Sequence, residues 1–215
     1  MSAVGVLAMF PLGSVLLPGE LLPLQVFEPR YRQLVIDLLA DDVDEPEFGV
    51  TLIERGHEVG GGDQRAGVGT VARVVGVDAL DGGRYAVVAV GVRRLRVNAW
   101  LPDDPYPLAD VDDWPEGDTE LGGLEVQVAA ARARVGATRR LAVEVGDLPP
   151  PDDGSELVPD LGDDPVAATY HLASLAPLGA ADRYRVLAAP TPAERLDVLD
   201  EALDDVEAVL RFRAG

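Results

Sequence analysis

The chain is predicted to be α+β, with a small closed or nearly closed β barrel followed by an α-helical bundle. Two observations carry that prediction. Before about residue 115 the apolar residues alternate or run in β-branched stretches broken by Gly and Pro; beyond it they recur every three or four positions. A third observation, 47% hydrophobic residues over 215 positions, gives enough apolar side chain for one core or two small ones. The expected units are 1–115, a β unit with one inserted helix, and 116–215, a helical unit.

The first half reads mainly as strands. Residues 4–10 are a short apolar strand and residues 48–54 (FGVTLIE) alternate. Residues 67–77 and 84–100 are the clearest pair, joined by Asp81-Gly82-Gly83, whose tolerance of positive φ marks a hairpin. Gly91 interrupts the second of these and predicts a bulge or a barrel corner. Residues 106–114 read as a further edge strand. One helix interrupts the strands: Pro29 suits a first helical position, and Tyr31, Leu34, Val35, Leu38 and Leu39 follow at helical spacing. Between the first strand and this helix, residues 15–24 read as apolar flanks of a proline turn.

In the second half, Leu124, Val128, Ala131 and Val135 predict a helix over roughly 119–145. Residues 146–163 (GDLPPPDDGSELVPDLGD) are acidic and Pro-rich, and predict a long mobile loop. Asp164-Pro165 caps and opens a helix to about residue 175. A short helix is expected over 182–188. Thr191-Pro192-Ala193-Glu194 is a capping box, and Leu196, Leu199, Leu203, Val206 and Leu210 then form one apolar stripe. That stripe serves the bundle core or, as the second choice, a dimer.

Composition excludes several functions. The chain has no cysteine, so it has no disulfide, thiol nucleophile or Cys-based zinc site. All 18 basic residues are Arg, set against 38 acids, for a net charge of −20. Phosphate neutralisation by basic patches dominates nucleic-acid affinity, so nucleic acid and anionic membranes are poor partners. No run approaches a membrane span, and Pro11, Pro18 and Pro23 break any leader-like segment; a cytoplasmic location is expected. There is no Walker motif, no GxSxG elbow and no EF-hand spacing. His57 and His171 lie in different halves and read as ordinary residues. No cofactor, metal or catalytic residue is expected.

Residues 9–32, MFPLGSVLLPGELLPLQVFEPRYR, carry a resemblance. Phe10-Pro11-Leu12, Leu17-Pro18-Gly19, Leu22-Pro23-Leu24 and Phe27-Glu28-Pro29-Arg30-Tyr31 follow in an order that resembles the N-terminal, substrate-binding domain of Lon proteases. Phe48-Gly49-Val50, Gly67-Val68-Gly69-Thr70 and Gly91-Val92-Arg93-Arg94-Leu95 extend it. The resemblance implies a PUA-like β pseudobarrel followed by a C-terminal α-helical bundle. It implies a non-catalytic module in a stand-alone form, because a chain without lysine supplies neither a Walker lysine nor a Ser–Lys dyad. It implies protein or peptide clients, unfolded or specific, with a protease or chaperone as a further partner, and weak self-association as an option. The alternative is a PUA-like domain for a small molecule or RNA. Arg93, Arg94 and Arg96 form a local basic strip, but alternation puts Arg94 and Arg96 on one face and Arg93 on the other.

The matched residues are read first as structural. Pro18-Gly19 makes a turn with Gly at positive φ. Phe27 packs into the barrel. Glu28 caps the helix through its carboxylate, and Arg30 pairs with it or with a carbonyl. Pro29 opens the helix and Tyr31 lies on its inner face. Gly67 and Gly69 allow close strand contact. The candidate client-binding side chains are Leu16, Leu17, Leu21 and Leu22, which flank the turn and cannot all point inward; closing the barrel's end is their other role.

Overall fold

The computed structural model describes residues 5–40, 43–55, 64–118, 121–151 and 155–214. The chain forms two compact units, Met1–Pro115 and Glu116–Gly215. The first unit holds β1 (Gly5–Leu12), β2 (Leu21–Val26), α1 (Pro29–Leu38), β3 (Glu47–Arg55), β4 (Gln64–Leu80), β5 (Arg84–Leu101) and β6 (Leu108–Asp113). The second holds α2 (Leu121–Glu144), α3 (Pro165–Leu175), α4 (Ala180–Leu187) and α5 (Pro192–Ala214).

The six strands form one sheet in the order β2-β5-β4-β3-β1-β6, and β6 also pairs with β5. The pairings of β1, β3, β4, β5 and β6 therefore run in a closed circuit. β1 is parallel to β3; the other ladders are antiparallel. The long strand β5 makes this possible by bending. Its residues 85–90 hold β2, its residues 95–101 hold β6, and the register against β4 slips between Gly91 and Arg93. Gly91 is thus the predicted bulge. A Cβ there would press on the Leu17 carbonyl, and the Gly91 N–H donates to the Glu20 carbonyl at 2.9 Å.

Two sequence expectations change. Residues 106–114 do not contain an edge strand: β6 has a neighbour on both sides. The edge is β2, an element the proline turn concealed. Pro23 lies in it opposite Val88, and an edge strand tolerates a residue without an N–H.

Apolar side chains converge inside the circuit. Met9, Val71, Leu95, Ala109 and Val111 make one cluster; Leu12, Leu16, Phe48, Val50, Ala72 and Ala89 make a second. Helix α1 closes a third with Tyr31, Leu34, Val35, Val26 and Val87, and Tyr31 stacks on Phe10 with ring centroids 4.0 Å apart. Each fully buried Leu or Val is worth about 1.5–3 kcal/mol. The void left in this third cluster measures about 10 Å³, at the lower limit for one water.

In the second unit the caps form as the sequence predicts. Asp164 accepts the Val166 N–H at 2.9 Å. The Thr191 N–H donates to the Glu194 carboxylate at 3.1 Å, and the Glu194 N–H donates back to Thr191 Oγ1 at 3.2 Å. Leu196, Leu199, Leu203 and Leu210 are buried. The fully buried Arg195 lies beside that stripe. It donates to Glu116 Oε2 and the Tyr170 hydroxyl, each at 2.6 Å, and to Thr169 Oγ1 at 2.7 Å, and its guanidinium stacks on the Tyr170 ring. A buried cation needs such partners to offset its lost hydration. Its Nε has none among the described residues. Between α2 and α3 the described residues 146–151 and 155–163 hold no helix or strand, yet Val158 and Leu161 are buried. Among the described residues no helix is long and apolar enough to cross a membrane.

Candidate protein-binding surface

Among the described residues, the first unit leaves a margin of its core uncovered where α1 ends. Leu39 is the C-cap residue of α1, and the β4–β5 hairpin passes beneath it. In that hairpin the register slips between Val74 and Gly76. The extra residue, Val75, is pushed outward and is 58% exposed. The result is an open groove of about 450 Å³ lined by Leu39, Pro46, Val74, Val75, Gly76, Val77, Ala79 and Tyr85. Among the described residues no charged side chain lines it. Leu39, Val74 and Val77 also line the small void behind it, so the floor of the groove is the outer skin of the core. Ile36, Leu39, Val43 and Leu80 are further exposed apolar residues on these segments.

Polar contacts converge on Asp37 of α1, the helix whose C-cap residue lines the groove. The Tyr106 hydroxyl donates to Asp37 Oδ2 at 2.8 Å, and Gln33 Nε2 donates to Oδ1 of the same carboxylate at 2.7 Å. Burial, with the Asp37 carboxylate as second cause, pushes the Tyr106 hydroxyl up to about 12. The hydroxyl thus stays a donor throughout the physiological range.

The four leucines read from the sequence are not brought to one surface. Leu16 and Leu17 are buried, at 5% and 0% exposure. Leu16 also accepts the Thr70 hydroxyl through its carbonyl at 2.6 Å. Leu22 is half-buried and packs on the second core cluster. Leu21 alone is strongly exposed, at 67%, on the outer face of the β2–β5 ladder with Pro23 and Val88. That apolar strip and the groove are open apolar surfaces of this unit.

The signature residues divide in the same way. Gly19 has φ 87° in a turn closed by the Glu20 N–H on the Leu17 carbonyl at 3.1 Å, with the Glu20 carboxylate accepting the Leu17 N–H at 2.8 Å. Phe27 does not pack inward: Val26 before it is buried, so strand alternation turns Phe27 out, and it is 58% exposed. Glu28 holds the N-cap position without capping through its side chain. Its carboxylate takes the Arg30 Nε at 3.2 Å instead, a charge-assisted bond that outcompetes a backbone amide. Gly69 is the close-contact glycine, since a Cβ there would run into the Val50 carbonyl; Gly67 meets nothing, because it falls where the β3–β4 register breaks. Arg94 and Arg96 share one face, both stacked on Trp114, while Arg93 binds Glu47 and Asp113. His57 lies outside the described residues.

Residues 6–205 match the model of the ATP-dependent protease La (LON) substrate-binding domain. The chain belongs to this family. Lon protease 2 of Sorangium cellulosum is 34% identical over 138 residues, covering 57% of this chain and 15% of that protein. Lon protease of Anaeromyxobacter dehalogenans is 35% identical over 158 residues, covering 71% of this chain and 18% of its own length. The chain thus spans under a fifth of the curated relatives it matches. The crystal structure of a Lon N-terminal domain protein from Xanthomonas campestris aligns with a TM-score of 0.60 at 28% identity, over 91% of this chain and 97% of that one. The N-terminal domain of a Mycobacterium avium complex Lon protease aligns at 0.61 and 20% identity, over 93% and 98%, and there the likeness is one of fold. The Lon substrate-binding domain is by itself non-catalytic, the ATPase and protease domains being separate.

Proposed function

We propose that this Lon-type domain is a non-catalytic recognition module that binds apolar segments of unfolded or specific protein clients. The groove between α1 and the β4–β5 hairpin is its contact surface, and the Leu21–Pro23–Val88 strip is a second one. The observation that carries the reading is an open groove of about 450 Å³ whose described lining residues are all uncharged and whose floor is core side chains. Such a margin gains by being covered, at about 25 cal/mol per Å² of apolar area. A folded client hides its apolar residues; an unfolded one offers them.

The closed circuit of strands fits the PUA-like pseudobarrel of the family, with the second domain beginning at about residue 116. Affinity for one groove is weak, so hand-over to a protease or chaperone, or self-association, supplies the avidity. The net charge of −20 favours protein over RNA as the partner.

The test is fluorescence anisotropy with a permanently unfolded, labelled client protein. Combined Leu39→Ser and Val75→Ser substitution is expected to weaken binding about tenfold, equivalent to about 1.4 kcal/mol. Leu39 and Val75 are 49% and 58% exposed, and an unchanged thermal transition of the double variant is the check that its fold is kept. Leu21→Ser alone is expected to weaken binding less. Unchanged affinity in the double variant would move the site elsewhere. RNA that shifts the chain at physiological salt would replace the client reading altogether.

A further inference from the structure

Strand β2 is where the sheet ends. β1, β3, β4, β5 and β6 each have a neighbour on both sides, whereas among the described residues β2 pairs with β5 alone. The direction of its backbone groups follows from that pairing. Gly91 donates its N–H to the Glu20 carbonyl at 2.9 Å, and Leu21 to Val26 then run opposite Val90 to Tyr85 with no slip in register. Antiparallel pairs alternate between those that exchange hydrogen bonds and those that do not. Leu22 and Leu24 therefore turn their N–H and C=O toward β5, and Leu21, Pro23 and Gln25 turn theirs away. All three outward-facing residues are exposed. Charge does not guard this edge. The strand, LLPLQV, carries none, and the flanking carboxylates are engaged, Glu20 with the Leu17 N–H and Glu28 with Arg30. An uncharged apolar segment on a sheet edge is the pattern that pairs with copies of itself unless a proline interrupts it.

Pro23 stands in the middle of the three outward-facing positions. A strand laid antiparallel on this edge aims a carbonyl at each of them. Leu21 and Gln25 answer with an N–H. At Pro23 the ring Cδ stands where the hydrogen would be, so the incoming carbonyl meets a carbon and finds no donor. A second copy meets the obstacle twice. Pairing about an axis through residue 23 sets Leu21 opposite Gln25 of the second copy and the two prolines opposite each other. Shifting the register to set Leu21 opposite Pro23 of the second copy leaves each proline facing a carbonyl just the same. We propose that Pro23 bars strand addition at the open edge of β2 and thereby keeps copies of this chain from pairing through it. The outer face of the strand, with Leu21 and Val88, is untouched by this barrier and stays open to side-chain contacts. The inference does not depend on what that face binds.

The experiment compares the full chain with Pro23→Val, which restores the missing N–H and keeps an apolar side chain at an exposed position. In sedimentation velocity, Pro23→Val is expected to associate at about tenfold lower concentration than the native chain. Amide hydrogen exchange is expected to be fast at Leu21 and Gln25 in the native chain and slowed in the associated variant. Adding Leu21→Lys and Gln25→Lys to Pro23→Val sets like charges opposite each other across the same pairing, and is expected to return association to the native level. Equal association of Pro23→Val and the native chain would overturn the proposal. So would association that the two lysines leave intact, because it would come from misfolding and not from the edge. Protected Leu21 and Gln25 amides in the native chain would mean that the edge is already covered. Loss of cooperative thermal unfolding in Pro23→Val would assign the residue to folding. Either result overturns the proposal as well.

Discussion

At Gly69 the β3–β4 ladder brings the Val50 carbonyl and the Thr51 side chain to where a Cβ would stand. Both neighbours belong to a core strand, and the first is backbone, so neither can swing away. Gly69→Ala is expected to lower stability by about 1–3 kcal/mol, the usual cost of overpacking. Gly67, two residues earlier, has open space and a negative φ. Gly67→Ala is expected to be neutral or to stabilise by about 0.5 kcal/mol, because alanine narrows the unfolded ensemble. Urea unfolding of both variants checks the pair; equal costs would mean that the strand spacing differs from the one described. The same two residues mark the limit of reading glycines from sequence. Both suggest close contact, and only the break in register separates them. Phe27 and Glu28 teach the reverse lesson about polar and apolar labels. Their roles are set by neighbours, a buried Val26 on one side and Arg30 on the other, which turn an expected core residue outward and an expected cap into an ion pair.

At the scale of elements, α2 is fastened to α5 through Glu207, whose side chain is only 12% exposed. It accepts the Thr138 hydroxyl at 2.7 Å and Arg211 at 2.5 Å, and Arg134 lies at 3.5 Å. Burial alone would raise its pKa; the hydroxyl and the two guanidinium groups outweigh burial and hold it below the usual carboxylate value of 4.5. A depressed carboxylate contributes stability that is fully present above its unfolded pKa and is lost as pH falls through the folded one. Glu207→Gln is therefore expected to cost about 1–2 kcal/mol at pH 7. That cost should shrink as pH drops below about 4.5. A cost independent of pH would show that packing, not charge, makes the contact. Local chemistry made this helical half legible in advance: the capping box at Thr191–Glu194, the Asp164 cap and the leucine stripe each act within one or two turns. The β half was legible where alternation is strong, as in the β4–β5 hairpin. It was not legible at β2, because Pro23 signals a turn unless the strand is known to be an edge. The groove proposed to bind clients was hidden for a related reason. Leu39 and Pro46 are far from Val75 in the chain, and Val75 points outward only because of a bulge beside Gly76, a glycine that the alternation around it does not single out. Of the four leucines chosen from sequence, strand alternation leaves Leu21 exposed, and the core claims Leu16 and Leu17.

At the scale of the whole molecule, the net charge of −20 is the property that every partner and every condition meets. Many of the ion pairs, such as Arg185 with Glu201 and Arg132 with Glu156, have largely exposed partners, and such pairs contribute about 0–1 kcal/mol each. Acids outnumber arginines 38 to 18, so most carboxylates repel one another with no arginine between them. Both effects are screened by salt, and the Debye length falls to about 10 Å at 0.1 M. The balance of signs decides the outcome: screening removes more repulsion than attraction, so the folded chain should gain. The melting temperature is expected to rise by a few degrees between low and moderate NaCl, about 1 kcal/mol for a chain of this size. Calorimetry in NaCl and in sodium perchlorate at equal ionic strength separates screening, which the two salts share, from surface exclusion, which they do not. A fall in both salts would mean that the few buried and networked pairs, Arg195 with Glu116 and Arg93 with Glu47 and Asp113, outweigh the surplus of charge. A rise in both would mean that the chain tolerates its acidity at a measurable cost in stability.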